Sequence, residues 1–289
     1  MATIALLVAA SVLWGSAPAL LKLIAPELGP SWTAELRLIL AASIATIAVL
    51  VRGRRLELRR LWKAYAIGGL LNIALPYWLN AYAVQSLSAS TLSCFIGLSP
   101  LIAACIAAVS NRRMSAVTAL GLFLGLFGVA TVAGAASLAS VPGKGLAICA
   151  ALAASTCTAA GAIYLQRHLK DRAVDTVLAG NLILGSVCML PSLAVVPIPS
   201  SISMTAIWAL LAVSSVATVL PFYLFFYVID TRGAQVAVLV NYLIPLFGVL
   251  WGALLLKEQL TVTQAVGLSI IFAGVWLLVR TPGNAASRR

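Results

Sequence analysis

The sequence predicts an all-α integral membrane protein, in which ten transmembrane helices form two inverted five-helix repeats around a central cavity. Three observations predict this fold. Of the 289 residues, 62% are hydrophobic and only 9% are charged, whereas a soluble chain is about 25% charged. Long apolar runs recur along the chain, and about 20 such residues cross a bilayer. The second half also repeats features of the first.

The repeat is carried by prolines, a tyrosine and a glycine at matching positions. The pairs are Pro76 and Pro221, Tyr82 and Tyr227, and Pro100 and Pro245, each 145 residues apart, then Gly128 and Gly274, 146 apart. A duplicated unit with an odd number of spans inserts its second copy in the opposite orientation, as in many alternating-access transporters. We therefore expect a first repeat at 1–138 and an inverted second repeat at 139–289, which ends in a short basic tail.

Each repeat is expected to contain five helices joined by short connections, which leave no room for a soluble domain. The predicted helices are 3–24, 31–51, 62–83, 88–110 and 115–135 in the first repeat, and 145–166, 176–197, 204–228, 234–256 and 262–280 in the second. Gly121, Gly125 and Gly128 lie at helical spacing, which predicts close contact with another helix.

The net charge of +12 is a signal of topology rather than of nucleic-acid binding. Fifteen of the 19 Lys and Arg residues fall in alternate connections and at the C-terminal end. The positive-inside rule places this side in the cytoplasm, together with both termini. We expect a multi-pass protein of a bacterial-type cytoplasmic (inner) membrane, in contact with the lipid bilayer and with no nucleic-acid partner.

The sequence offers little that could support catalysis. It has no Gly-rich phosphate loop, no His/Glu zinc spacing and no nucleophile elbow. Of its seven acidic residues, only Glu35 lies about a turn inside a predicted span. An enzyme needs a convergent set of ionisable groups. We therefore predict neither an enzyme nor a cofactor or metal site.

Several short motifs resemble a known family. They are Trp14-Gly15-Ser16 with Lys22, Arg37 followed by Ala41 and Ala42, Pro245, Leu256-Lys257-Glu258, Gln264, Gly267 and Gly274-Val275. Their order resembles the EamA family of the drug/metabolite transporter superfamily, ten-helix carriers built of two five-helix repeats, over nearly the whole chain. The resemblance implies a carrier of small metabolites, often an exporter of amino acids, and is nearest to the aromatic amino acid exporters. Two departures are Glu35, where a small apolar residue is expected, and Arg112-Arg113, where the second repeat has Lys257-Glu258.

Interrupted helices and intramembrane polar groups predict where a solute would pass. Gating roles are predicted for Pro18, Pro76, Pro100, Pro221 and Pro245, although prolines also simply shape packed helices. A cavity for an amphipathic solute is mostly apolar and aromatic, with a few polar groups. The cavity candidates are Trp14, Lys22, Asn72, Trp78, Tyr82, Tyr164, Asn181, Tyr223 and Asn241. Packing or lipid contact is the alternative for about half of the aromatic residues.

Lys22 and Glu35 both lie toward the outer ends of the first two helices. They could capture the carboxylate and ammonium of a zwitterion, or neutralise each other as an ion pair. The position of Lys22 matches the family's lysine, which favours a functional role, whereas a structural role is favoured for Glu35. As an embedded carboxylate, Glu35 is also the one candidate for coupling to protons.

Two functions are consistent with the sequence. The first is a secondary transporter that exports amino acids, aromatic or otherwise neutral, or related amphipathic metabolites by alternating access. The second is an efflux carrier for lipophilic cations or drugs, which needs a membrane-embedded carboxylate. Because Glu35 lies near the edge of a span, amino acid export is preferred. We expect the carrier to function as a monomer.

Overall fold

The computed structural model describes residues 2–110, 116–133, 143–169, 172–232 and 240–280, and these residues contain helices but no β-strand. The α-helices are α1 Ala2–Gly15, α2 Ala17–Val51, α3 Leu58–Gly69, α4 Leu75–Ala83, α5 Ala89–Ile96, α6 Ser99–Ser110, α7 Ala116–Ala133, α8 Lys144–His168, α9 Val174–Met189, α10 Met204–Ser214, α11 Leu220–Arg232, α12 Val240–Leu256 and α13 Val262–Arg280. Each predicted span contains helix where the chain is described.

By length and composition, five helical stretches within the described residues can cross a membrane. They are Thr3–Val51, Ala89–Ile106, Lys144–His168, Val174–Val195 and Met204–Phe225. The 49-residue stretch includes the first two predicted helices, which are separated at Gly29 (φ 69°, ψ 170°), between Pro26 and Pro30. Shorter apolar helices cover Ala119–Val132, Leu243–Leu256 and Val262–Gly274. Large apolar side chains such as Ile47, Phe123 and Leu254 remain exposed, as expected for surfaces that face lipid.

A π-helical turn occurs at the same place in each half of the chain. Leu70–Ala74 and Ser215–Val219 both have π geometry, and the two turns are 145 residues apart, the spacing of the sequence repeat. The Leu75 N–H donates to the Leu70 carbonyl, and the Leu220 N–H donates to the Ser215 carbonyl. The next residue is Pro76 or Pro221, which has no N–H to donate. The π turn is thus the local response to proline in both halves.

The other matched proline pair is not symmetric. Pro100 follows a break at Gly97–Leu98 between α5 and α6, whereas Pro245 lies inside the continuous helix α12. The helix is therefore broken just before Pro100, whereas α12 continues through Pro245. Pro245 instead packs on the break: a β-carbon added to Gly97 would lie 2.4 Å from Pro245 Cγ. Pro18 lies near the start of α2, just after the interruption at Ser16.

Helices at equivalent positions in the two halves contact each other and run antiparallel. In α7 and α13, a β-carbon on Gly128 would lie 2.7 Å from the Gly267 carbonyl oxygen, and one on Gly274 would lie 2.7 Å from the Gly121 carbonyl oxygen. The residue number rises along one helix as it falls along the other. The close packing predicted for Gly121 and Gly128 is confirmed, and Gly125 likewise packs against Leu101.

Two further pairs of equivalent helices also contact each other and run antiparallel. Across α5 and α12, Ser90 meets Gly252, Ser93 meets Gly248 and Gly97 meets Pro245. Across α2 and α9, Glu35 meets Ser186 near one end, and Asp175 meets Arg52 beyond the other. Three helices of the first half, α2, α5 and α7, therefore pack against an oppositely directed counterpart from the second half.

Candidate substrate pathway

An arginine is buried where α2, α4 and the second π turn meet. Arg37 is only 4% exposed. Its Nε donates to Thr218 Oγ1 at 3.0 Å, and its guanidinium carbon lies 3.6 Å from the centre of the Tyr77 ring. The Thr218 hydroxyl in turn donates to the Val213 carbonyl at 2.6 Å. The Thr218 hydroxyl therefore fixes the guanidinium from the second half of the chain.

Glu35, two residues before Arg37, is completely buried against a different helix. Its Oε1 accepts a hydrogen bond from the hydroxyl of Ser186 in α9, and its Oε2 has no hydrogen-bond partner in the described part of the chain. Among the residues that the structure describes, no ion pair joins Glu35 to Lys22 or to Arg37. The ion pair considered from the sequence is therefore absent, and the structure leaves the role of Glu35 in proton coupling untested.

Lys22 has two backbone partners at the end of α4. Its ammonium donates to the carbonyl oxygens of Val84 at 2.7 Å and of Leu87 at 2.9 Å. These carbonyls belong to the end of a helix and the turn after it, where intrahelical donors run out. In this structure Lys22 therefore stabilises the turn between α4 and α5, and two of its three protons are engaged there.

Glu258 supports the same turn from the opposite half of the chain. Its carboxylate accepts hydrogen bonds from the N–H groups of Ala89 and Ser90, at 2.8 and 3.0 Å, and from the Ser90 hydroxyl at 2.6 Å. A carboxylate at a helix N-terminus is stabilised by the free N–H groups and the helix dipole. The Lys-Glu motif noted in the sequence thus caps α5.

The aromatic candidates form two groups. Trp14 packs edge-to-face on two residues of α11, with ring centroids 5.1 Å from Phe222 and 5.5 Å from Phe225. Trp78 stacks on Tyr82 at 6.0 Å and donates from Nε1 to the Ser31 hydroxyl at 3.0 Å. Tyr77 and Trp78 of α4 and Phe222 and Tyr223 of α11 also pack around one buried cluster, which contains residues of α2, α9 and both π turns.

The remaining candidates are spread along the bundle. Asn72, in the first π turn, donates to the Thr158 carbonyl at 3.0 Å. Asn181 is 2% exposed beside Gly68 and Gly69, and its Oδ1 has no hydrogen-bond partner. Tyr164 stacks on His168 at 4.1 Å, near the end of α8. The Asn241 side chain lies outside the described residues.

Arginines and acids form ion pairs between helix ends on the side that carries the basic connections, here called the basic end (residues 52–60 and 167–175). Arg54 and Arg52 lie 2.6 and 3.4 Å from the Asp175 carboxylate, which is 2% exposed. Arg52 also lies 4.7 Å from the centre of the Tyr223 ring, and Arg172 bonds Glu57 at 2.8 Å. These contacts connect the chain that follows α2 with the start of α9 and with α11.

At the other end, the turn between the first two predicted spans faces the connection between α9 and α10. A cavity of about 940 Å³ lies between residues 27–32 and 196–203. Glu27 accepts hydrogen bonds from the N–H and hydroxyl of Ser203, both at 2.7 Å, and Trp32 Nε1 donates to the Pro197 carbonyl at 2.9 Å. Ser31 lines this cavity and also accepts the hydrogen bond from Trp78, so the cavity adjoins the Trp78 group.

The site candidates named from the sequence did not include Ser186, Thr218 or Phe222, and Arg37 was noted only as part of the family motif. Serine, threonine and phenylalanine are common in membrane helices, so their type gives no signal. Arg37 did give one, because a guanidinium inside a membrane is costly and tends to be functional.

The fold and the buried polar groups define a polytopic helical membrane protein built of two related halves. Comparison with known proteins identifies the class: the sequence profile of the EamA-like transporter family matches residues 1–134 and 145–280. The chain therefore belongs to this family of membrane transporters for small molecules, with one match in each half.

Relatives in other organisms agree with this assignment. The chain is 27% identical over 279 residues to "Uncharacterized transporter YvbV" of Bacillus subtilis (strain 168), covering 95% of this chain and 90% of that protein. It is 24% identical to an "Uncharacterized transporter" of Archaeoglobus fulgidus, covering 92% and 95%. A crystal structure that is 17% identical superposes with a TM-score of 0.69 over 96% of both chains, which supports the fold.

Proposed function

We propose that this transporter exports neutral amino acids, aromatic ones in particular, by alternating access. The observation that carries the proposal is the meeting of α4 and α11, one from each half, around α2. Tyr77 of α4 lies against the buried guanidinium of Arg37, Thr218 binds it from the second half, and rings of both helices pack on one buried cluster. An apolar, aromatic site with few polar groups suits an amphipathic solute.

Ten spans in two inverted repeats are the topology that we propose for this mechanism. Antiparallel contacts between equivalent helices support it, because two halves inserted in the same orientation would place their equivalent helices parallel. The matched π turns support it as well, since discontinuous helices at corresponding positions mark the binding region of such carriers.

In the proposed transport cycle, the two ends of the helical bundle would close in turn. At the basic end, the pairs of Arg52 and Arg54 with Asp175 hold the two halves together. At the other end, Lys22 and Glu258 hold the turn that leads into α5. In the proposal, Pro18, Pro76, Pro100 and Pro221 supply the bending points, and Trp14, Trp78, Tyr82, Asn72, Asn181 and Tyr223 line the path, with the basic end in the cytoplasm.

Counterflow into proteoliposomes tests the function. Liposomes containing the purified protein are loaded with unlabelled L-phenylalanine and diluted into a trace of labelled L-phenylalanine. We expect transient accumulation of the label, which protein-free liposomes do not show. Absence of counterflow for every neutral amino acid, together with uptake of labelled tetraphenylphosphonium, would instead establish the carrier for lipophilic cations.

A further inference from the structure

The charge on Arg37 is not balanced by any acid that the structure describes. The ion pairs in the described residues all lie at the basic end, and the partners of Arg37 among these residues are the Thr218 hydroxyl and the Tyr77 side chain. A buried charge without an opposite charge is strongly unfavourable. A membrane interior increases that cost, and such residues commonly mark substrate pathways.

The neighbouring carboxyl group does not remove this imbalance. Residues two apart on a helix do not face each other, and Glu35 bonds Ser186 of α9 while Arg37 bonds Thr218. A carboxyl group can also lose its charge by binding a proton, whereas a guanidinium stays protonated in proteins. The permanent charge in this part of the bundle is therefore positive.

The surroundings of Arg37 fit an anionic group attached to an apolar body. A guanidinium presents a planar set of donors that matches a carboxylate. Tyr77 lies against one face of it, and Phe222, one turn after Thr218 along the same helix, packs on Trp14. Aromatic residues of both halves therefore either contact Arg37 or lie within a few residues, along the chain, of the Thr218 that binds it.

We propose that Arg37 binds the carboxylate of the transported solute and that Thr218 positions the guanidinium for it. The substrate class is then a monocarboxylate with an apolar or aromatic body, and lipophilic cations are repelled. The assignment deepens the proposed function and rests on it for the identity of the solute. It also moves carboxylate recognition from Lys22, which bonds two backbone carbonyls, to Arg37.

Three probes of nearly the same shape test the charge requirement on the wild-type protein. L-Phenylalanine carries both charges, 3-phenylpropionate only the carboxylate, and 2-phenylethylamine only the ammonium. We expect the first two to raise the melting temperature of the purified protein and to inhibit counterflow. The amine should be weaker by roughly tenfold or more, the scale of one lost charge-assisted contact. An amine that binds as well as 3-phenylpropionate would overturn the assignment.

Variants locate the contact. Arg37→Gln should abolish the melting-temperature shift by 3-phenylpropionate, Arg37→Lys should weaken it, and the control Arg59→Gln, at an exposed arginine, should leave it unchanged. A full shift in Arg37→Gln would refute the proposal. If the Arg37 variants do not fold, the wild-type probe series decides alone.

The two proposals can fail separately. A wild-type protein that binds 3-phenylpropionate through Arg37 without moving any amino acid would refute amino acid export and retain the carboxylate site. Counterflow of L-phenylalanine that is equally sensitive to the amine and the acid would retain export and refute the site.

Discussion

Gly128 and Gly267 bring the backbones of two antiparallel helices into contact. A β-carbon added to Gly128 would lie 2.7 Å from the Gly267 carbonyl oxygen, and one added to Gly267 would lie 2.6 Å from the Gly128 carbonyl oxygen. Both neighbours are backbone atoms, which cannot move aside as a flexible side chain can. In a membrane such close approach is the main source of helix association, because lipid is as apolar as the side chains.

Replacing either glycine by valine should separate α7 from α13. We expect destabilisation of roughly 1–3 kcal/mol, typical of overpacking, and a lower yield of folded protein in detergent. The control is Gly145→Ala, where an added β-carbon meets nothing within 4 Å. Melting temperatures followed by size-exclusion chromatography provide the measurement, and equal stability of Gly128→Val and Gly145→Ala would contradict the packing.

Single cysteines on a cysteine-free background test the orientation. Ser201, between α9 and α10, and Ala173, before α9, are both exposed and lie at opposite ends of the bundle. The positive-inside rule predicts that a membrane-impermeant maleimide labels Ser201→Cys in intact cells and spares Ala173→Cys until the cells are opened. The reverse pattern would invert every helix of the proposed topology.

The aromatic groups should matter for transport more than for folding. Trp14→Ala and Trp78→Ala are expected to lower counterflow per folded molecule severalfold, since the rings would contact the solute. Trp208→Ala serves as the control, because Trp208 is 65% exposed on a surface that would face lipid. If all three variants transport equally per folded molecule, Trp14 and Trp78 are packing residues.

The Asp175 pairs should control access at the basic end. Asp175→Asn keeps the shape of the side chain but removes the charge that Arg52 and Arg54 share. We expect the closed state at this end to lose population and a cysteine at Tyr223 to react faster with a water-soluble maleimide. Glu57→Gln, at a half-buried residue that pairs with Arg172, is the comparison. Unchanged reactivity in Asp175→Asn would assign the pairs to stability alone.

If transport is coupled to protons, Glu35 is the residue expected to carry them. A neutral zwitterion moving alone carries no net charge, and Glu35 is the only acid within a predicted span. We therefore expect no uphill uptake into proteoliposomes that have a pH gradient but no substrate gradient. Uphill uptake that is lost in Glu35→Gln would make Glu35 the coupling residue and refute transport that is uncoupled from protons. Ser186→Ala, which removes the hydroxyl partner, would then show whether that bond tunes coupling.

Much of the helical arrangement could be predicted because its causes are local in the sequence. Apolar runs give the helices, and the proline spacing gave the places where both halves would be interrupted. In the structure these interruptions are π turns, in which Leu75 and Leu220 donate to carbonyls five residues earlier. Pro245 shows the limit, since the same residue type leaves α12 unbroken while its ring packs on Gly97.

The buried polar contacts were harder to predict because they join distant parts of the chain. Lys22 bonds carbonyls more than 60 residues away, and Arg37 bonds a hydroxyl 181 residues away. Residue type suggests that a buried charge needs a partner but does not identify the partner. The sequence suggested a pairing of Lys22 with Glu35, but in the folded chain each of them bonds a different partner.

The matched π turns have a consequence for how a duplicated protein can diverge. Each turn is imposed by the proline two residues beyond it, so the five residues inside are not needed to preserve it; they read LLNIA in one copy and SVATV in the other. After duplication, one copy could keep an amide at Asn72 while the other acquired the Thr218 hydroxyl, with the shape of both helices unchanged. The two halves can thus present different polar groups while both keep a π turn at the same position.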